Sequence, residues 1–221
     1  EYKTAAESRP NWYPTLTQDP VDRIMADMNA SGKLHLWQFI KDDEKAIAIL
    51  RQRLEGLQQV DLIGRIREYL KGLVKKGEIV LTESDIENAT VVLFGDYLWI
   101  AHPADIDVMV FVDSSVKRAK SVALGYDLPP VDLNIVSRSS LSDQTVYALT
   151  AGMSMAKSLA MILAGSVTLK GMPVQLQPFT DQDRIVIAEH FIKIGLEEVS
   201  IGELGSPQKA WYRFMQGYVF V

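Results

Sequence analysis

The sequence predicts an α/β protein of the α+β kind, with a small sheet core flanked by helices and a helical region in front of it. Three observations carry this. Apolar residues recur at threes and fours from Asp42 to Lys76, which is the period of an amphipathic helix. Three short β-branched apolar runs, ATVVLF, DVMVFV and VDLNIV, then crowd into residues 89–136, as buried strands do. After Ser142 the spacing returns to that of helices. The expected organisation is an arm and helical region over 1–77, a core over 78–180 and C-terminal helices over 181–221.

Residues Glu1 to Pro20 are polar and punctuated by proline, which predicts an irregular arm. A first helix is expected after Asp19, the N-cap, with Pro20 at its first position and Ile24, Met25 and Met28 as its apolar stripe, ending at Ser31-Gly32. Ile47, Leu50, Leu54 and Leu57, then Leu62, Ile63, Ile66, Leu70 and Leu73, predict two amphipathic helices that break near Gln59-Val60. Arg65, Arg67, Lys71, Lys75 and Lys76 gather late in the second. Basic residues suit a helix C-terminus and a solvated face; a phosphate contact is the other reading.

The pattern changes at Gly77. Thr82 to Asn88 has the composition of a short capped helix, and Ala89 to Phe94, Asp107 to Val112 and Val131 to Val136 read as strands, the last entered through Pro129-Pro130. Val116, Ala119, Lys120 and Ala123 predict a short helix between Ser114 and Gly125. Ser142 to Ala164 predicts a long core helix capped by Ser142 and closed by Gly165. Its methionines Met153, Met155 and Met161 read as gap-fillers. Val167 to Phe179 predicts a hairpin turning at Lys170-Gly171, and Asp181 to Val199 and Pro207 to Met215 predict two last helices.

Composition narrows the chemistry. A chain of 221 residues, 48% hydrophobic and 23% charged, can bury a core without staples. It has no cysteine, which excludes disulfides, thiolate zinc sites and thiol catalysis and suits a reducing compartment such as the cytoplasm. A net charge of -5 argues against general duplex binding. No apolar run approaches the roughly 18 to 20 residues that span a bilayer, so no membrane association is expected. EYKTAAESRP lacks the basic and apolar parts of a signal peptide; since the chain starts at Glu1, a leader removed earlier stays open.

The chemistry concentrates in FGDYLWIAHPADIDVMVFVD, Phe94 to Asp113. Residues two apart on a strand share a face, so Asp105 and Asp107 are expected to project together, Cα atoms roughly 6.5 to 7 Å apart. Carboxylates so placed repel unless a cation lies between them, and Mg²⁺ is the usual hard, oxygen-seeking ion. Asp132, at the start of VDLNIV, reaches the same pocket if its strand lies alongside. Three carboxylates suit divalent ions that serve an attacking oxygen and a leaving pyrophosphate, with Asp132 placed to act on the attacking hydroxyl. The alternative is that Asp105 and Asp107 are turn acids and Asp132 a strand-edge acid.

The succession VVLFGD, about ten residues, DIDVMVF and then VDLNIV resembles the DNA polymerase beta-type nucleotidyltransferase superfamily over Val91 to Val136. There a strand ends in a Gly-Ser turn, a D-x-D follows about ten residues later on the next strand, and a third Asp sits on a later strand. The resemblance implies a mixed sheet with helices against it, an NTP such as ATP as donor, Mg²⁺ (or Mn²⁺) held by Asp105, Asp107 and Asp132, and phosphate contacts around Gly95. The chain departs from that pattern at Asp96, which stands where the family has Ser, and in its short interval from Asp107 to Asp132. A carboxylate about 5 Å from a triphosphate would repel it by about 3 kcal/mol at an effective dielectric near 20. Asp96 also suits an N-cap of a short helix Tyr97 to Ile100.

Lys157 is a candidate point charge for a triphosphate, or a solvated helix lysine. His102, in the loop before the acids, is a candidate phosphate or base contact, or merely exposed. His35 and His190 have no acid or histidine at ligand spacing, and no G-x-S-x-G suggests a hydrolase. The expected function is metal-dependent transfer of an NMP from NTP to a hydroxyl on a protein, a small molecule or a nucleic-acid end. The alternatives are a catalytically degenerate binding or regulatory module of that fold and a helical interaction protein with incidental acids.

Overall fold

The structure, a computed structural model, describes residues 42–99, 103–151 and 153–201. The N-terminal arm, the helix expected after Pro20, the helix expected over Pro207 to Met215, and His35 and His102 lie outside the described residues. The chain divides into two compact units, the first holding described residues 42–140 and 161–175, the second 141–160 and 176–201.

In the first unit, α1 (Glu44–Gln59) starts at Asp43, whose carboxylate accepts from the amides of Lys45 and Ala46. The break falls where the spacing predicts it. Asp61, in the left-handed conformation at φ 49°, caps α2 (Leu62–Lys75) by accepting from Gly64 N. Leu50, Leu54 and Leu57 of α1 and Leu62, Ile66, Leu70 and Leu73 of α2 are buried, so the periodic stripe is the core face. Thr82 and Asp85 form a reciprocal capping box on the short α3 (Glu83–Glu87).

The sheet contains β1 (Thr90–Phe94), β2 (Ile106–Val112), β3 (Lys117–Val122), β4 (Val131–Ser137) and β5 (Ser166–Lys170), in the order β3-β4-β2-β1-β5. β2 and β4 run parallel and the other pairs are antiparallel, so the sheet is mixed and the class is α+β. Val91, Leu93, Ile106, Val108, Val110, Val131, Leu133 and Ile135 share one core with the leucines of α1 and α2. The intervening residues Val92, Met109, Phe111 and Val136 are buried as well. Burial on both faces is why these strands read as largely apolar runs.

Three expectations are corrected. Residues 117–122 form β3, an edge strand, rather than a helix; Val116, Ala119, Lys120 and Ala123 fit a helical period locally, but pairing along the outer side of β4 decides. The hairpin over Val167 to Phe179 is also absent. β5 pairs with β1, the chain turns at Gly171 (φ 86°), and 173–180 form no strand, since Pro173 and Pro178 lack the ladder donor. The helix expected from Ser142 to Ala164 is helical over both described stretches, α5 (Gln144–Ala151) and α6 (Met153–Ala164), but it is preceded by a 3₁₀ turn over Arg138–Asp143. Asp143 rather than Ser142 accepts the first-turn amide, from Val146 at 3.0 Å.

In the second unit, α7 (Asp181–Ile201) is capped reciprocally by Thr180 and Asp183. The side chain of Gln144 on α5 fixes the backbone of Gln177, donating to its carbonyl and accepting from its amide. No helix among the described residues is long and apolar enough to cross a membrane.

Candidate functional site

β2 and β4 are in register with Ile106 opposite Val131 and Asp107 opposite Asp132. Neighbouring strands lie about 4.8 Å apart, and paired residues project to the same face, so these two carboxylates stand side by side at the entrance of the sheet. Both are half-buried. Two contacts set this register: Pro129-Pro130 directs the chain into β4, and Ile106 N donates to Pro130 O at 2.9 Å.

The third strand end meets them here. β1 is antiparallel to β2 and its last residue, Phe94, is opposite Asp107. Gly95 follows with φ +77°, and a Cβ there would collide with the carboxylate of Asp107. Glycine is thus required twice, for the left-handed turn and for the space that Asp107 fills. The turn opens into α4 (Asp96–Trp99), where Leu98 N donates to Gly95 O and Leu98 is buried. Asp96 occupies the first helical position, one residue later than the cap expected of it, and is exposed.

Asp105 lies in the bend before β2 and is half-buried. The ladder begins at Ile106, so strand alternation does not direct its side chain. Among the described residues, no group of three or more His, Cys, Asp or Glu side chains is arranged to hold a metal ion. The register therefore assembles a carboxylate pair against a glycine turn, with Asp105 and Asp96 in the flanking segments. Ser121 of β3, exposed and opposite Asp132 on its other side, joins this end of the sheet.

Lys157 is exposed on α6 and His190 half-buried on α7, both in the second unit. Arg65, Arg67 and Lys71 of α2 make contacts that serve the fold. Arg65 grips Asp127 through both carboxylate oxygens and donates to Leu124 O, which pins the loop between β3 and β4. Their mutual hydrogen bonds raise the Arg65 pKa and lower that of Asp127. Arg67 faces Glu87 at 3.9 Å and Lys71 faces Glu68 at 3.4 Å.

Two charged groups of the interior have little signal in the sequence. Asp85 is buried, which by itself would raise its pKa, yet hydrogen bonds from the hydroxyls and amides of Thr82 and Ser114 outweigh burial and bring it down to about 2. The Thr82–Asp85 box is legible as T-x-x-D; the tie to Ser114 is not. Lys170 is only 2% exposed. A bulge between Val91 and Val92 in the β1–β5 ladder sets Lys170 opposite Val91, and its ammonium donates to Ile86 O at 3.0 Å. Burial brings its pKa down to about 8, opposed by Glu87 and assisted by Arg67.

No protein-family model, no curated protein and no solved structure matches the chain.

Proposed function

We propose that the chain is a metal-dependent nucleotidyltransferase that moves an NMP from an NTP to a hydroxyl acceptor. The observation that carries the reading is the placement of Asp107 opposite Asp132 on parallel strands, with Gly95 of the neighbouring strand against Asp107.

Mg²⁺ or Mn²⁺ fits this pair. Mg²⁺ is commonly held by one or two carboxylates, the substrate phosphates and water completing its shell, so a three-acid cage is not needed. Asp107 and Asp132 would hold it, with Asp105 from the adjacent bend. The ion supplies neutralisation of phosphate charge and polarisation of the phosphoryl group.

The chain's own residues account for the remaining requirements. Gly95 presents bare backbone, which permits close approach of phosphate oxygens. Asp132, half-buried at the start of β4, accepts the proton of the attacking hydroxyl. The acceptor oxygen forms a bond to the α-phosphorus as the bond from that phosphorus to the bridging oxygen breaks, and pyrophosphate departs. The acceptor is a protein, a small molecule or a nucleic-acid end, and the setting is the cytoplasm, in keeping with the absence of cysteine.

A second reading, a degenerate binding module of the same fold, is favoured by Asp96, whose exposed carboxylate follows Gly95 where a triphosphate would approach. Incubation with each NTP labelled at the α-phosphate, with Mg²⁺ or Mn²⁺, separates the two. Transfer that disappears in Asp107→Ala and Asp132→Ala supports the enzyme; NTP binding without transfer supports the module. Transfer that persists in both variants removes the site.

A further inference from the structure

α4 is described over Asp96–Trp99 and is tied to a helix distant in sequence. Arg53, on α1 and 44 residues away in sequence, donates from Nη1 to the carbonyl of Tyr97 at 2.6 Å. The same guanidinium lies 5.6 Å from the centre of the Tyr97 ring. The guanidinium makes a charge-assisted hydrogen bond to the carbonyl, and the ring contact adds a cation–π attraction. Tyr97 is half-buried, and burial raises its pKa while Arg53 lowers it, as a cation in direct reach should.

The segment held in this way is the one that carries Gly95 and Asp96. Leu98 is buried in the core shared with α1 and α2, and Leu98 N closes the turn on Gly95 O. Any rotation of α4 moves Gly95, against which the Asp107 carboxylate is seated. We propose that Arg53 is a positioning residue that locks α4 and, through Gly95, fixes the Asp107 carboxylate beside Asp132 for a divalent cation and the phosphates it accompanies. Its consequence for the cation rests on the proposed function; the locking of α4 does not.

The test uses the full chain, Arg53→Ala, Arg53→Lys and Asp107→Asn, with two readouts: amide hydrogen exchange over residues 95–99 against 106–112, and Mn²⁺ affinity by electron paramagnetic resonance. In Arg53→Ala, exchange over 95–99 should quicken at least tenfold while β2 stays protected, and Mn²⁺ affinity should fall at least fivefold. Arg53→Lys, which keeps the charge and a donor, should recover part of both, a rescue that a general packing role does not predict. If Arg53→Ala does not fold, Arg53→Lys carries the comparison, with intermediate exchange and affinity expected. Unchanged exchange over 95–99 overturns the locking. Intact Mn²⁺ affinity in Arg53→Ala alongside loss in Asp107→Asn overturns the coupling and leaves the site standing. If the intact chain takes no Mn²⁺, the proposed function and the coupling fail, and the exchange readout alone decides the locking.

Discussion

Asp107 and Asp132 are register partners on the two parallel strands of the sheet, so their carboxylates emerge from one face one strand spacing apart. The proposed cation site rests on that placement, with Gly95 of the neighbouring strand against the Asp107 carboxylate.

Gly95→Ala should be among the most damaging single changes in the first unit. The new methyl meets the Asp107 carboxylate, and alanine must adopt φ +77°. A cost of about 1–3 kcal/mol is expected from the backbone and the displaced acid together. Urea denaturation measures the cost; Mn²⁺ affinity should fall with it. A variant as stable as the intact chain would show that the turn is not under this constraint.

Asp96→Ser should tighten NTP binding. An exposed carboxylate at the first position of α4 repels an approaching triphosphate by about 3 kcal/mol at 5 Å, roughly a hundredfold in affinity before solvent screening reduces it. Titration with a fluorescent NTP analogue, repeated at high salt, checks this. Equal affinities for the two proteins would place Asp96 away from the phosphates.

Asp85 ties α3 to Ser114, which follows β2. Its folded pKa, about 2, lies below its ordinary value of 3.8. The stability it contributes is therefore complete above pH 4 and is lost as pH falls from about 4 towards 2. Asp85→Ala should cost about 2–4 kcal/mol at pH 7, through its charge-assisted hydrogen bonds, and should flatten the acid limb of the stability curve. Thermal unfolding of both proteins from pH 2 to 7 gives the comparison; parallel curves would refute it.

Lys170 behaves in the opposite range. Its folded pKa of about 8 is below its ordinary 10.5, so between those values the unfolded chain binds more protons than the folded one. The destabilisation is full below pH 8 and is relieved as pH rises through 8 towards 10.5. Relative to Lys170→Met, the intact protein should gain stability from pH 8 to 10. A difference that stays constant over that range would show that Lys170 titrates normally.

What the sequence reveals depends on how local the decisive physics is. The break between α1 and α2 at Gln59-Val60 and the Thr82–Asp85 cap are local and are read correctly from spacing and capping chemistry. The runs that form β1, β2 and β4 are legible because a strand buried on both faces has few polar residues to interrupt it. β3 is not legible, since KRAKSV becomes a strand only by pairing with the outer side of β4. The reorientation of Lys170 depends on a bulge that no residue type announces. At the site, the D-x-D and the third acid are visible in the sequence, but the match of Asp107 with Asp132 is a property of strand register. Asp105 shows the converse: the alternation that relates it to Asp107 holds only inside the ladder, and the ladder starts one residue later. Arg53 is invisible for another reason, being joined to Tyr97 only by the packing of α1 against α4.

The central claim, that the Asp107–Asp132 pair is a divalent cation site, is tested most directly by Mn²⁺ titration of the intact chain, Asp107→Asn and Asp132→Asn, followed by electron paramagnetic resonance. Saturable binding by the intact chain, weakened at least tenfold in each variant while both remain folded, is the predicted result. No saturable binding by the intact chain, or binding that both variants retain in full, would contradict it.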